Sequence, residues 1–204
     1  KLLKIYSGKK LSILDIGTGC GCIIISLLSN LNQSRGYGID ISKKATFVAK
    51  MNVKKHKLSD CTKILNVSFE NFFNKKFDLI VSNPPYIEKR KIKNLSDDIK
   101  KFEPRMALDG GNDGLDLIKK IIYKSKHILK VNGLLALEIG NEQVIKVSKK
   151  LKENNFRVKD YLKDYKDNIR CVIAIKNKWT TITPEEEITD LDLKRTTLDV
   201  EMCL

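Results

Sequence analysis

An apolar run, Ser12-Ile13-Leu14-Asp15-Ile16, ends in Gly17-Thr18-Gly19-Cys20-Gly21, and the stretch from Cys22 to Leu31 that follows has the apolar density of a buried helix. Nothing else in the chain constrains the fold as strongly. A strand that runs through a glycine turn into a helix is the first half of a β–α–β unit, and such units build parallel sheets covered by helices. Glycines let the N–H groups of the turn and the helix N-terminus come close to a ligand, which is how many nucleotide-like cofactors are held. The spacing here is G-x-G-x-G rather than the G-x-G-x-x-G of dinucleotide sites, which disfavours a nicotinamide cofactor. Taken alone, the turn could equally be a tight strand-to-helix connection with no ligand.

The following segments repeat the pattern. Gly36 to Asp40 reads as a second strand, with Asp40 about 20 residues after the turn, where such folds bind ribose hydroxyls. Alone, Asp40 would read as an acid or cap at the start of the helix expected from about Ser42 to His56. Lys63 to Val67 is a third strand, and Phe69 just after it either stacks on a cofactor ring or joins the core. A fourth strand, Phe77 to Ser82, delivers Asn83-Pro84-Pro85-Tyr86 to the same carboxyl edge. Both prolines fix φ and lack an N–H, and they push Asn83 toward extended geometry, so the loop is stiff and cannot continue a ladder. An amide oxygen and a nearby carbonyl then accept both hydrogens of a planar –NH2 group while the Tyr86 ring packs on its plane.

Beyond that loop, Ile87 to Pro104 is expected to be a mobile flap and Phe102 to Leu108 an ordered loop. A helix is expected from about Gly114 to Leu129, then a turn at Asn132-Gly133 into a strand over Leu134 to Ile139. A helix over Glu142 to Asn154 precedes strands near Phe156 to Asp160 and Cys171 to Lys176. The polar connection Tyr161 to Arg170 is too short for a packed crossover helix, so those two strands should pair antiparallel. Residues 1–176 are expected to form one catalytic domain and 177–204 a tail.

The 204 residues carry a formal net charge of +14 and five cysteines. Five is an odd number, without C-x-x-C pairing and with only His56 and His127 as possible co-ligands, so neither a disulfide framework nor a metal site is expected. No segment approaches the roughly 20 apolar residues of a membrane span. A soluble, cytoplasmic monomer is expected. The positive charge admits a nucleic-acid partner but does not favour one, because the lysines are scattered as on solvated helix faces and arginine is scarce. Asp78 and Glu138 read as structural strand residues rather than general bases, and Cys20 lacks the neighbouring histidine a nucleophile needs.

Asp15 to Gly21, Asp40 and Phe77 to Ile87 together resemble the Rossmann-like S-adenosylmethionine (SAM)-dependent methyltransferases. Phe102-Glu103-Pro104 through Leu108, Asp113-Gly114-Leu115 and Leu137 to Gly140 narrow the resemblance to the HemK/PrmC family, the peptide chain release factor glutamine N5-methyltransferases. This implies an α/β fold with a seven-stranded, mostly parallel sheet, an antiparallel last strand and helices on both faces. It also implies methylation of the glutamine amide in the Gly-Gly-Gln motif of class I release factors. By motif position, Gly17, Thr18, Gly19, Cys20, Gly21, Asp40, Phe69 and Asn83 match SAM contacts, and Asn83, Pro84, Pro85 and Tyr86 match substrate contacts. Ser68-Phe69 stands where the family usually has Asp-Trp, which keeps an aromatic ring and loses an acid. Only ten residues precede Leu11, where the family carries a helical N-terminal domain, so slower methylation of intact release factor is expected. The alternatives are a DNA or RNA amino-group methyltransferase acting on adenine N6 or guanine N2, and an inactive fragment.

Overall fold

The computed structural model describes residues 1–6, 8–72, 75–102 and 104–178. Seven strands form one sheet in the order β3-β2-β1-β4-β5-β7-β6. They are β1 (Ser12–Ile16), β2 (Arg35–Asp40), β3 (Thr62–Asn66), β4 (Phe77–Ser82), β5 (Leu129–Glu138), β6 (Phe156–Lys163) and β7 (Ile169–Lys176). The first five are parallel, and β7 runs antiparallel to both β5 and β6.

Both faces of the central strands are covered, so those strands are apolar almost continuously rather than in alternation. Ile13, Leu79, Val81 and Ala136 point to one face and pack under α1 (Leu2–Tyr6), α2 (Cys22–Asn30) and α3 (Lys43–Lys55). Leu14, Ile80, Leu135 and Leu137 point to the other. There they meet α6 (Asp116–Ile128) and α7 (Val144–Glu153) through Ile118, Ile121, Ile122, Val147 and Leu151. Gly36 lets α2 pack closely on β2, since a Cβ there would fall 2.6 Å from Ile24 Cδ1 and 2.8 Å from Leu28 Cδ1 and push those side chains aside.

Several expectations are corrected. The Asn132-Gly133 pair lies inside β5 instead of preceding it. Leu129 pairs with Phe77, and the register shifts before Leu134 pairs with Leu79. Asn132 sits at φ 62°, within the four residues of β5 that lie opposite Asp78 alone between these two pairings. The expected mobile flap holds a 3-10 helix over Lys89–Asn94 and α4 (Asp97–Phe102), and the expected loop after it contains α5 (Arg105–Leu108). This segment is tied to the rest by Ile87 N–H donating to Leu108, Gly110 N–H to Ile87 and Lys89 N–H to Gly111. Strands β6 and β7 pair antiparallel as expected but run longer, and only a tight Asp164-centred turn separates them: Asp164 Oδ1 accepts from the backbone of Lys166 and Asn168. The first residues, given no structure from sequence, form α1, whose Tyr6 hydroxyl donates to the Asp78 carbonyl at 3.0 Å. The expected tail lies outside the described residues from Trp179 onward.

Candidate active site

The carboxyl ends of β1, β2 and β4 open onto one edge, the place where open α/β sheets hold ligands. From β1 the chain enters the glycine turn. Gly17, Gly19 and Gly21 all have positive φ, at 70°, 56° and 88°. A Cβ added at Gly17 or Gly19 would meet open space, so their conformation, not crowding, asks for glycine, and the backbone lies bare toward the edge. The N–H groups of Gly17 and Thr18 both donate to the Ile39 carbonyl, which binds the turn to β2.

Asp40 ends β2 with both carboxylate oxygens engaged: Oδ2 accepts from Gly19 N–H at 2.9 Å and Oδ1 from Ser42 N–H at 2.8 Å. Ser42, not Asp40, caps α3, its Oγ accepting from Ala45 N–H. The capping alternative for Asp40 therefore gives way to a carboxylate aimed at the turn, with lone pairs remaining for two hydroxyls.

Beneath the turn, Asp15 is only 1% exposed. Its Oδ2 accepts from Thr18 Oγ1 at 2.7 Å, while Oδ1 has no hydrogen-bond partner among the described residues. Burial pushes its pKa up to about 6, against the opposing pull of the Thr18 hydrogen bond. A buried carboxylate oxygen left without a donor is costly unless something arrives to satisfy it, and a cationic group suits it best.

Across the edge, Ser82 Oγ donates to the Ile16 carbonyl at 2.7 Å and ties the end of β4 to the end of β1. The chain then enters Asn83-Pro84-Pro85-Tyr86. The Asn83 side chain is exposed and makes no hydrogen bond to the described residues, whereas Pro84 is buried behind it. Tyr86 is held at two points: its carbonyl accepts from Gln143 Nε2 at 2.9 Å and its hydroxyl donates to Glu138 Oε1 at 3.3 Å. Burial and the Glu138 charge push the Tyr86 phenol up, so it stays neutral. Gln143 also donates to the Gly114 carbonyl at 3.1 Å and accepts from Gly140 N–H at 2.9 Å, which locks three loops together. Gly114, at φ 72°, lies against the Tyr86 carbonyl where a Cβ would collide.

The family described as methyltransferase small domain matches over residues 2–101. A release factor glutamine methyltransferase of Fusobacterium nucleatum subsp. nucleatum is 41% identical over 188 residues, 87% of this chain and 51% of that protein. A ribosomal protein uL3 glutamine methyltransferase of Francisella tularensis subsp. tularensis is 42% identical over 133 residues, 65% of this chain and 42% of that protein. The chain is similar to these glutamine methyltransferases over most of its own length. It spans about half the length of these relatives. The magnesium protoporphyrin IX methyltransferase of Synechocystis PCC 6803, solved with SAM bound, shares the fold, with a TM-score of 0.61 and 15% identity over 86% of this chain and 75% of that one.

Within this chain, Gly17, Thr18, Gly19, Cys20, Gly21, Asp40 and Asn83 to Tyr86 all lie at or beside the one edge. Phe69 stands apart in character: it opens a 3-10 turn after β3, half-buried and packed against the core, so its ring serves the core whether or not it also meets a ligand. Sequence reading missed Asp15 and Gln143 as parts of the site. Asp15 had a signal, an acid inside an otherwise apolar strand directly before the glycines. Gln143 had none, because its partners lie 29 and 57 residues away in sequence. Lys89, Arg90, Lys93, Lys100 and Arg105 line one cavity of about 420 Å³ floored by Ile92 and Leu108, next to the segment that leaves Tyr86.

Proposed function

We propose that this chain transfers a methyl group from SAM to the side-chain amide nitrogen of a protein glutamine, that of the Gly-Gly-Gln motif in class I release factors. The observation that carries the reading is the free Asn83 amide at the tip of a proline-stiffened loop. Two proteins named as glutamine methyltransferases, each about 40% identical to this chain, support it.

The residues fit SAM. The orphaned Asp15 Oδ1 suits its ammonium group, the bare backbone at Gly17 and Gly19 suits close approach, and Asp40 suits its ribose hydroxyls. When bound, SAM supplies an electrophilic methyl group on a sulfonium. The chain's own part is to bind and orient the acceptor. An amide nitrogen is a poor nucleophile because its lone pair is delocalised into the carbonyl. Accepting its two N–H hydrogens at Asn83 Oδ1 and the Pro84 carbonyl raises electron density on nitrogen and fixes the amide plane, while the Tyr86 ring packs on that plane. Gln143 and Glu138 hold Tyr86 in place for this. No strong base is needed, because the nitrogen becomes acidic once methylated and loses its proton late.

A second reading, methylation of an exocyclic amino group on nucleic acid, is favoured by the basic lining of the cavity beside the loop, where Arg90 and Lys100 pair with Glu88 and Asp97 and Lys89, Lys93 and Arg105 stand with them, since phosphate contacts dominate nucleic-acid affinity. Offering release factor, ribosomal protein, RNA and DNA in parallel with methyl-labelled SAM separates the two. The expected result is label on release factor. Label confined to RNA or DNA would overturn the glutamine reading.

A further inference from the structure

Cys20 and Cys22 flank Gly21 where the glycine turn passes into α2, and their sulfurs lie 3.3 Å apart. Both side chains are exposed. Residues two apart are separated by at most about 7 Å at Cα even when extended. The left-handed Gly21, at φ 88° and ψ 10°, bends the chain between these two. The pair thus falls within the span a disulfide bridges, and its sulfurs need close only to the roughly 2.05 Å bond length. The backbone between them is braced on the inner side, where a Cβ on Gly21 would meet Ile25 at 3.2 Å and Ala49 at 3.4 Å, so the sulfurs stay on the open side.

We propose that Cys20 and Cys22 form a reversible disulfide when exposed to hydrogen peroxide, and that this bond weakens cofactor binding at the glycine turn. The sulfur of Cys20, as thiolate, attacks one peroxide oxygen. The O–O bond breaks, and the departing hydroxide takes up a proton to give water, leaving a sulfenic acid on Cys20. The sulfur of Cys22 then attacks the Cys20 sulfur, the S–S bond forms, the S–O bond breaks, and hydroxide leaves with the Cys22 proton as a second water. Two thiols are oxidised to one disulfide and one peroxide is reduced to two waters. Both sulfurs are exposed and within reach of each other, so the scheme works equally with the two cysteines exchanged.

The consequence for the cofactor comes through the backbone. The Cys20 carbonyl is held by Asn52 Nδ2 at 2.8 Å, and the preceding residue, Gly19, donates to Asp40 at 2.9 Å. Drawing the Cys20 sulfur onto Cys22 pulls on a peptide fixed at both places, and it alters the surface that Cys20 presents to the edge. This part rests on the turn being the SAM site, whereas formation of the bond does not.

The test uses the full chain, treated with dilute hydrogen peroxide and then with dithiothreitol. Peptide mass mapping is read beside SAM affinity by calorimetry. The expected result is loss of two hydrogen masses on the peptide holding Cys20 and Cys22, restored by the reductant, with SAM bound about tenfold more weakly while oxidised. Saturating SAM should slow the bridging. Cys22→Ser should bind SAM as the reduced parent does and, under the same treatment, show no loss of two hydrogen masses, Cys20 instead gaining oxygen. Oxidation that stops at sulfinic or sulfonic acid without a bridge would overturn the proposal, as would a bridged form that binds SAM as tightly as the reduced one. A reduced chain that binds no SAM defeats the cofactor reading instead, and the mass measurement still decides whether the bridge forms.

Discussion

Where the chain leaves β1 and β2, the turn is tied by hydrogen bonds to β2 and Asp40; where it leaves β4, the side chain at the tip makes no hydrogen bond to the described residues. Gly17, Thr18 and Gly19 donate to Ile39 and Asp40, and Asp40 has both oxygens occupied. Asn83, by contrast, has a rigid backbone and an unengaged amide, with Tyr86 behind it clamped by Gln143 and Glu138. The difference separates two tasks. In the proposed reading, the first half receives the cofactor on a turn already braced against β2, with the orphaned oxygen of Asp15 facing its ammonium group. The second half offers a donor-hungry group fixed in space, which is what positioning an incoming amide demands.

That division can be broken most sharply at Asn83. In Asn83→Ala, methyl transfer to glutamine should fall on the order of 10²-fold or more, because a positioned acceptor is lost. SAM affinity measured by calorimetry should change by no more than several-fold. Full activity in this variant would erase the distinction between the halves. On the other side, Gly19→Val forces a branched residue to φ 56°, and Asp40→Ala removes the acceptor of Gly19 N–H. Each should weaken SAM binding by about 10- to 100-fold, at about 1.5–3 kcal/mol per charged hydrogen bond lost. Unchanged affinity in both would reduce the glycine turn to a mere connection.

A smaller effect is expected at Gln143. Gln143→Ala leaves the carbonyls of Tyr86 and Gly114 without their donor, at a cost of about 1–3 kcal/mol in stability. Transfer should slow by about tenfold with SAM affinity intact, a result that stopped-flow transfer and denaturant melts can read together.

The mildest test is pH. Asp15 rises from an ordinary 3.8 to about 6 in the fold through burial. A carboxyl raised in this way favours the folded state below about pH 4, and that contribution is lost as pH climbs through about 6. The charged form that burial penalises is the one an ammonium group needs. SAM affinity should therefore increase between pH 5 and 7 by several-fold, up to about tenfold per unit at most, and the slope should flatten in Asp15→Asn.

Legibility in the sequence followed the same division. The placement of the glycine turn, Asp40 and the Asn83 loop at one edge was readable because each is local: a strand followed directly by a short turn. The antiparallel β6–β7 pair was readable from the polar, short connection between them. The register shift at Asn132-Gly133 was not, since only the pairing with β4 decides where the strand begins. Gln143 and the α4 segment were hidden for a related reason, their roles being set by contacts from distant parts of the chain. The alternation of Leu2, Leu3, Ile5 and Tyr6 in α1 is too brief a pattern to separate from a loop. The unsatisfied Asp15 oxygen could be found only once burial was known.

The most direct test of the central claim is to locate the transferred methyl group by tandem mass spectrometry after this chain has acted on an intact class I release factor with SAM. The account predicts a single added methyl on the side-chain amide nitrogen of the Gly-Gly-Gln glutamine, lost in Asn83→Ala. A methyl group found on another atom, or a chain that binds SAM and leaves that glutamine unmodified, would contradict it.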